Sequence, residues 1–107
     1  MKVAFTFRNL ESSDGLKTYA EEKIGKLQKY LHAPLDATVI LTTERHLHKV
    51  ELSVQADGHH FLGHESSEDM YASLDAVIDK VLRQIRDKNA EKTTRMRHPH
   101  DGIKSKG

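Results

Sequence analysis

The chain has 107 residues, no cysteine and a formal net charge of +1. This length fits one domain, and the lack of cysteine excludes a disulfide framework and thiolate chemistry. No apolar run reaches the length of a membrane span and the N-terminus lacks the pattern of a secretory signal, so we expect a soluble, cytoplasmic protein. Residues 93–107 carry four cations and one anion, which leaves a net charge of −2 on the rest of the chain. Any basic surface on the body must therefore come from sorting charges onto separate faces.

A strand and then a helix are predicted for the first third of the chain. Apolar and polar residues alternate over residues 1–8, which is typical of a half-buried strand. Residues 14–31 then place apolar side chains at helical spacing, with Ser12 or Ser13 as the expected N-cap. Pro34 disfavours helical geometry in the residue before it and so ends the helix. The predicted buried stripe of this helix consists of Leu16, Tyr19, Ala20, Ile24, Leu27, Tyr30 and Leu31.

Three further strands are predicted in the middle of the chain. Residues 37–44 are rich in β-branched residues, and residues 46–56 alternate between apolar and polar side chains. Asp57 and Gly58 form a strong signal for a two-residue hairpin. Residues 59–65 return as the last strand, so these three strands should form an antiparallel meander.

Residues 69–86 predict the most regular element, an amphipathic helix with basic residues weighted towards its C-terminal half. Ser66 or Ser67 is the expected N-cap, and Glu68 and Asp69 would occupy the first turn, where the helix dipole favours anions. The apolar stripe consists of Met70, Tyr71, Leu74, Val77, Ile78, Val81, Leu82 and Ile85.

The element order β-α-β-β-β-α predicts an α+β fold. The first β-α-β unit should join two parallel strands by a right-handed crossover. Each helix has one apolar stripe, so both should pack on one face of a four-stranded sheet. We divide the chain into a domain at residues 1–92 and a disordered basic tail at residues 93–107, because the tail has almost no apolar residues to bury.

Eight histidines invite a metal hypothesis. In a meander, His48 and His60 could be near neighbours, and on a strand His46 and His48 would share one face. Zinc sites, however, usually need three or four ligands in tight geometry, often with cysteine, and no such spacing occurs. We expect no metal site, and we interpret the histidines as polar groups on the solvent side of strands and turns.

The sequence contains no motif for catalysis or for a cofactor. There is no glycine-rich phosphate loop and no nucleophile elbow. Asp75 and Asp79 share one face of the last helix, but Lys80 and Arg83 nearby favour charge balancing over acid–base work. We therefore expect neither an enzyme nor a bound cofactor.

A basic surface on the two helices is the remaining candidate for function. If the helices lie side by side, their outer cations could merge into one stripe suited to an RNA phosphate backbone. The competing interpretation is a solvated face with cations near a helix end, where the dipole favours them. The candidate RNA-binding residues are Lys23, Lys26, Lys29, Lys80, Arg83 and Arg86.

Two segments carry a resemblance to a known family. The first is the run Asp-Met-Tyr-Ala at residues 69–72, followed by Leu74-Asp75, Ile78-Asp79-Lys80 and Arg83-Gln84. The second is Lys23-x-x-Lys26-Leu27-x-x-Tyr30 in the first helix. Over about residues 1–90, the chain resembles the ribosome hibernation promoting factors and ribosome-associated inhibitors, in a short form.

The resemblance implies a fold similar to a double-stranded RNA-binding domain with an added first strand. It implies binding to the small ribosomal subunit and its ribosomal RNA, in the channel used by messenger and tRNA, and inhibition of translation in stationary phase or stress. A separate ribosome modulation factor is an implied partner in some bacteria, and we expect a monomer off the ribosome. Lys23, Lys26, Lys80 and Arg83 inherit the RNA-contact role, and Lys29 and Arg86 are added on helical geometry.

Two other functions stay open. One is a regulatory protein–protein module that modulates a sigma factor, and the other is a generic binder of double-stranded RNA. The sequence also leaves open whether the chain promotes or prevents ribosome pairing, and what role the basic tail has.

Overall fold

The predicted element order is confirmed by the structure. A computed structural model describes the backbone of residues 1–97 and the side chains of residues 1–90. The described elements are β1 (Lys2–Arg8), α1 (Asp14–Leu27), a 3-10 helix (Gln28–Tyr30), β2 (Asp36–Glu44), β3 (Leu47–Ala56), β4 (His59–Ser67) and α2 (Met70–Arg97). The four strands form one sheet in the order β1-β2-β3-β4. β1 runs parallel to β2, and the other neighbouring strands pair antiparallel.

One face of the sheet is covered by the two helices. α2 packs on β3 and β4 and also contacts α1. The alternating residues of each strand divide between this covered face and an open face, as the period of two requires. The largest side chains that are fully buried in the core are Ile24, Leu27, Leu35, Leu41, Leu52, Leu74 and Ile85. Both helices therefore turn most of their apolar stripes to the sheet, but the prediction that Tyr30 and Tyr71 are buried is wrong, since they are 41% and 42% exposed.

The β3–β4 hairpin has the predicted two-residue turn, but one predicted neighbour relation is wrong. Asp57 and Gly58 have φ of 55° and 75°, the positive values that a type I′ turn needs. With this turn, His60 lies opposite Gln55, whereas His48 lies opposite Ser67. His48 and His60 are therefore at opposite ends of the hairpin, because the register is fixed by the turn.

The helix starts differ in how well the sequence predicted them. Ser13 caps α1, and its Oγ accepts a hydrogen bond of 3.2 Å from the Leu16 amide. For α2 the prediction of a serine cap is wrong, since Ser66 and Ser67 belong to β4. Asp69 takes this role, because its Oδ2 accepts a hydrogen bond of 3.0 Å from the Ala72 amide.

The helix ends also differ from the prediction. α1 ends at Leu27, and a 3-10 helix carries the chain on to Tyr30. α2 continues to Arg97, so residues 93–97 are helical rather than the start of a disordered tail. The reason is that no glycine or proline occurs between Met70 and Pro99. Residues 98–107 lie outside the described part of the chain, so the rest of the tail stays a prediction.

Two glycines have opposite surroundings. A Cβ at Gly25 in α1 would meet no atom within 4 Å, so no close approach explains this glycine and the helix is locally weaker there. A Cβ at Gly63 in β4 would lie 3.4 Å from both Val77 and Val81 and 3.3 Å from the Lys80 side chain. Gly63 therefore lets α2 approach the sheet closely.

Candidate nucleic-acid interface

A groove between α1 and α2 holds two of the candidate cations. Lys23 and Lys26 line its α1 side, and Asp75 and Asp79 line its α2 side. The apolar side chains of Leu27, Ile78 and Leu82 also line it, and its volume is about 340 Å³.

 The groove thus has lysines on its α1 side, aspartates on its α2 side and apolar side chains between them. Within the described residues, no carboxylate lies within ion-pairing distance of Lys23 or Lys26, so the two walls stay apart.

Tyr19 joins the two helices at one end of this groove. Its hydroxyl donates a hydrogen bond of 2.6 Å to Asp75 Oδ1, and its ring meets the ring of Tyr71 edge-on at 4.9 Å between centroids. Lys23 Nζ lies 5.4 Å from the centre of the Tyr19 ring, a cation–π distance. The hydrogen bond to Asp75 raises the pKa of Tyr19, with smaller contributions from desolvation and from the Asp75 charge. Tyr19 therefore holds the Asp75 carboxylate in place.

Lys80 lies on the other flank of α2, away from α1. Its Nζ is 2.8 Å from Glu65 Oε2 of β4, and its side chain crosses the face of Gly63. This cation is therefore already paired within the fold. The Lys80 side chain is nevertheless 48% exposed, so an RNA phosphate can still reach it.

The remaining candidates, on α2 and on the 3-10 helix, are exposed to solvent. Arg83 Nη2 lies 3.1 Å from Asp79 Oδ2, one helical turn earlier, and its side chain is 76% exposed. Arg86 is exposed further along α2, and Lys29 is exposed on the 3-10 helix.

The six cations therefore share the helix side of the molecule without forming one unbroken stripe. Asp75 and Asp79 lie between the lysines of α1 and the cations of α2, so carboxylates interrupt the basic surface. Helical periodicity placed these two residues on the polar side, but it could not show that they face α1. The RNA-binding role of all six cations stays a prediction.

Gln84 has a role that the sequence did not indicate. Its side-chain amide donates a hydrogen bond of 2.8 Å to the Leu62 carbonyl and accepts one of 3.3 Å from the Leu62 amide. β4 is an edge strand, so these two backbone groups have no partner strand. The available signal was the spacing of four residues from Lys80, which places both side chains on the flank of α2 that faces β4.

The open face of the sheet is polar and mixed in charge. Lys49 is paired with Glu44 there, and His60 Nε2 lies 2.6 Å from Ser53 Oγ. Within the described residues, no three or more side chains of His, Cys, Asp or Glu are grouped so that they could hold a metal ion. No helix in the described part of the chain is long and apolar enough to cross a membrane.

Comparison with known proteins agrees with the pattern of elements and of helix residues. Residues 3–93 match the family described as Sigma 54 modulation protein / S30EA ribosomal protein. The chain belongs to this family. The match spans both helices and all four strands, and it confirms the resemblance carried by the signature residues of α2.

Relatives with similar sequences include hibernation factors. The ribosome hibernation promoting factor of Azotobacter vinelandii is 33% identical over 85 residues, which cover 79% of this chain and 79% of that protein. The ribosome hibernation promotion factor of Lactococcus lactis subsp. cremoris (strain MG1363) is 35% identical over 107 residues. That alignment covers 94% of this chain but 56% of the Lactococcus protein, so this chain spans little more than half of that relative.

A solved structure shares the fold. The N-terminal domain of Thermus thermophilus Protein Y superposes with a TM-score of 0.77 at 27% identity, covering 81% of this chain and 98% of that domain. The four-stranded sheet with two helices on one face is therefore the architecture of a known relative as well as of this chain.

Proposed function

We propose that this chain is a ribosome hibernation factor of the cytoplasm. In this proposal it binds the small ribosomal subunit at the messenger and tRNA channel and inhibits translation in stationary phase or stress. The observation that carries the proposal is the set of cations on the two-helix side, all exposed except the half-buried Lys23, of a chain that belongs to the S30EA family. The names of the Azotobacter and Lactococcus relatives support the hibernation role.

Phosphate contact is the proposed basis of binding. Lys23, Lys26, Lys80 and Arg83 would contact the ribosomal RNA backbone, with Lys29 and Arg86 at the ends of the surface. Contacts of this kind release counterions, so the affinity should fall steeply as the salt concentration rises. They position the protein on RNA without reading sequence.

Occupation of a site is the proposed mechanism of inhibition. The protein would act without any covalent step, because it would lie where messenger and tRNA must lie. Inhibition is then competitive, and each ligand lowers the apparent affinity of the other. A monomer is sufficient for this mechanism. Pairing of ribosomes, with a separate modulation factor, would be a further step that the proposal does not need.

Order of addition in cell-free translation tests the proposal. Purified protein added before initiation should block synthesis, whereas ribosomes already holding messenger and P-site tRNA should resist it. A high-salt wash should restore activity and leave the ribosomal RNA intact. Cleaved or modified RNA would contradict the proposal, and equal inhibition of empty and loaded ribosomes would place the protein at another site.

A second candidate function follows from the other half of the family description, sigma 54 modulation. A protein that regulates a sigma factor would act through a protein–protein surface and would have no need of ribosomes. Gradient sedimentation separates the two candidates. A ribosome-bound protein travels with the small subunit or the ribosome, whereas a sigma-factor partner stays near the top of the gradient.

A further inference from the structure

The groove between α1 and α2 has a chemical character that a phosphate surface does not need. Its two carboxylates, Asp75 and Asp79, face the space that Lys23 and Lys26 border from the other helix. A phosphate backbone laid directly over the groove would meet both negative charges. The carboxylates thus oppose the phosphate binding that the cations favour, and they need a different explanation.

We propose that this groove receives one unstacked nucleotide of ribosomal RNA, and that Asp75 and Asp79 accept hydrogen bonds from the Watson–Crick edge of a guanine. The inference rests on the proposed function, since it assumes that the two-helix side lies on RNA. It adds base recognition to a surface otherwise described by charge alone.

The apolar floor suits the face of a nucleobase. Leu82 is half-buried, whereas Ile78 and Leu27 expose only 8% and 1% of their surface, so Leu82 supplies most of the apolar surface that a base would cover. Lys23 and Lys26 can hold the phosphates on either side of that nucleotide. Sequence-specific recognition of RNA commonly uses such splayed bases, read at their Watson–Crick edges. The groove volume of ≈ 340 Å³ lies within the range of about 300–1,000 Å³ for small-molecule sites.

The carboxylates select guanine among the four bases. An ionised carboxylate only accepts hydrogen bonds, so it needs donors opposite it. Guanine presents two adjacent donors, at N1 and at the N2 amino group. Adenine and cytosine present an acceptor beside their amino group, and uracil presents its one donor between two carbonyls. Those acceptors would lie against the carboxylate oxygens and repel them.

Both carboxylates are held by neighbours that leave one oxygen available. Tyr19 donates to Asp75 Oδ1, and Arg83 Nη2 lies 3.1 Å from Asp79 Oδ2. In the described part of the chain, no hydrogen bond is made to Asp75 Oδ2 or to Asp79 Oδ1. Acceptors fixed before binding lose less conformational entropy when a ligand arrives.

Chemical probing of purified small subunits tests the inference with an Asp75→Asn variant. The amide oxygen of asparagine can still accept from Tyr19, while its NH₂ group replaces an acceptor by a donor. Kethoxal, which reacts with N1 and N2 of unpaired guanine, reports the edge in question. Bound wild-type protein should protect a guanine that becomes reactive again when Asp75→Asn is bound at the same occupancy. The affinity of the variant should fall about tenfold, within the range for one bidentate base contact.

Asp36→Asn is the matched control, because it removes the same charge from an exposed residue of β2 outside the groove. If Asp75→Asn melts early, Asp79→Asn carries the test, since its side chain is 57% exposed. A variant that binds as tightly as wild type or more tightly, with unchanged protection, would show that the carboxylates only balance charge. If wild-type protein binds without protecting a guanine, the inference about the groove is wrong but the proposed function still stands. Wild-type protein that fails to sediment with subunits overturns the proposed function as well.

Discussion

Lys80 Nζ lies 2.8 Å from Glu65 Oε2, so a predicted RNA contact on α2 is paired with a carboxylate of β4. Both side chains are partly exposed, and exposed ion pairs contribute about 0.2–1 kcal/mol. Glu65→Gln should free the ammonium group for phosphate and raise the affinity for small subunits by up to about fivefold. Titration of labelled protein with subunits at fixed salt measures this. A weaker affinity would mean that Glu65 positions Lys80 for its contact.

Reversing the charge of Lys80 and Arg83 together should weaken binding strongly. Each lost phosphate contact should make the plot of log affinity against log salt shallower by roughly 0.7–0.9. Thermal melting should fall only slightly, because the two ion pairs that become like-charge contacts, Lys80 with Glu65 and Arg83 with Asp79, lie at the surface. Lys2→Glu with Arg8→Glu is the matched control, since it makes the same change in net charge from exposed positions on β1. Normal binding of the Lys80→Glu, Arg83→Glu protein at physiological salt would remove this surface from the proposal.

The fold could be predicted from the sequence because each element carries a local signal. Alternation predicted β1 and β3, β-branched residues predicted β2, and the hairpin signal at residues 57–58 predicted β4, while the apolar stripes predicted both helices and the face they cover. The failures lie at ends, where neighbours decide. Ser66 and Ser67 are good caps, yet they pair in β4 and Asp69 caps α2 instead. Likewise α2 passes the predicted start of the tail and continues to Arg97.

The candidate site was predicted less completely, because a helical wheel describes one helix at a time. The sequence placed Asp75 and Asp79 on the polar side of α2, but which flank faces α1 depends on how the helices pack. For the same reason Lys80 was expected beside the cations of α1, whereas it faces β4. Contacts between elements that are distant in the chain leave no periodic signal.

Two glycine-to-alanine variants should change stability in opposite directions. Gly25→Ala adds a methyl group where nothing lies within 4 Å, and it should stabilise the fold by about 0.5–1 kcal/mol through helix propensity. Gly63→Ala places its methyl group 3.3 Å from Lys80 Cδ and 3.4 Å from the fully buried Val77 and Val81, and it should cost about 1 kcal/mol through overpacking. Denaturant unfolding of both variants measures the difference. A stabilised Gly63→Ala protein would contradict the close approach of α2 to the sheet.

The tether between Tyr19 and Asp75 should weaken at high pH. The pKa of Tyr19 is raised above its ordinary value of 10.0, chiefly by the hydrogen bond to Asp75. The protonated hydroxyl is thus favoured in the folded state, so its stabilising contribution is present below pH 10.0 and lost as the pH rises through the raised pKa. Tyrosinate absorbance should show one late-titrating tyrosine, which titrates earlier in Asp75→Ala. Asp87→Ala, from the other flank of α2, should leave the titration unchanged.

Gln84 should protect the backbone of β4 at Leu62. Its amide makes hydrogen bonds of 2.8 Å and 3.3 Å to the Leu62 carbonyl and amide. One such bond contributes about 0.5–1.5 kcal/mol, so Gln84→Ala should speed hydrogen exchange of the Leu62 amide by up to about tenfold. Gln55→Ala, an exposed glutamine of β3, is the control and should leave that exchange rate as it is.

The same variant tests whether Gln84 keeps β4 from pairing with another chain. An edge strand with unpaired amide and carbonyl groups is a template for a further strand. Leu62 itself is 43% exposed, so the freed backbone groups would lie beside an apolar side chain that another chain could contact. Gln84→Ala should therefore self-associate at concentrations where wild type is monomeric, as light scattering after gel filtration measures. Gln84→Leu should do so more strongly, because it adds apolar surface beside Leu62. If both variants stay monomeric while the Leu62 amide exchanges faster, Gln84 protects the hydrogen bonds of β4 but does not prevent pairing with another chain.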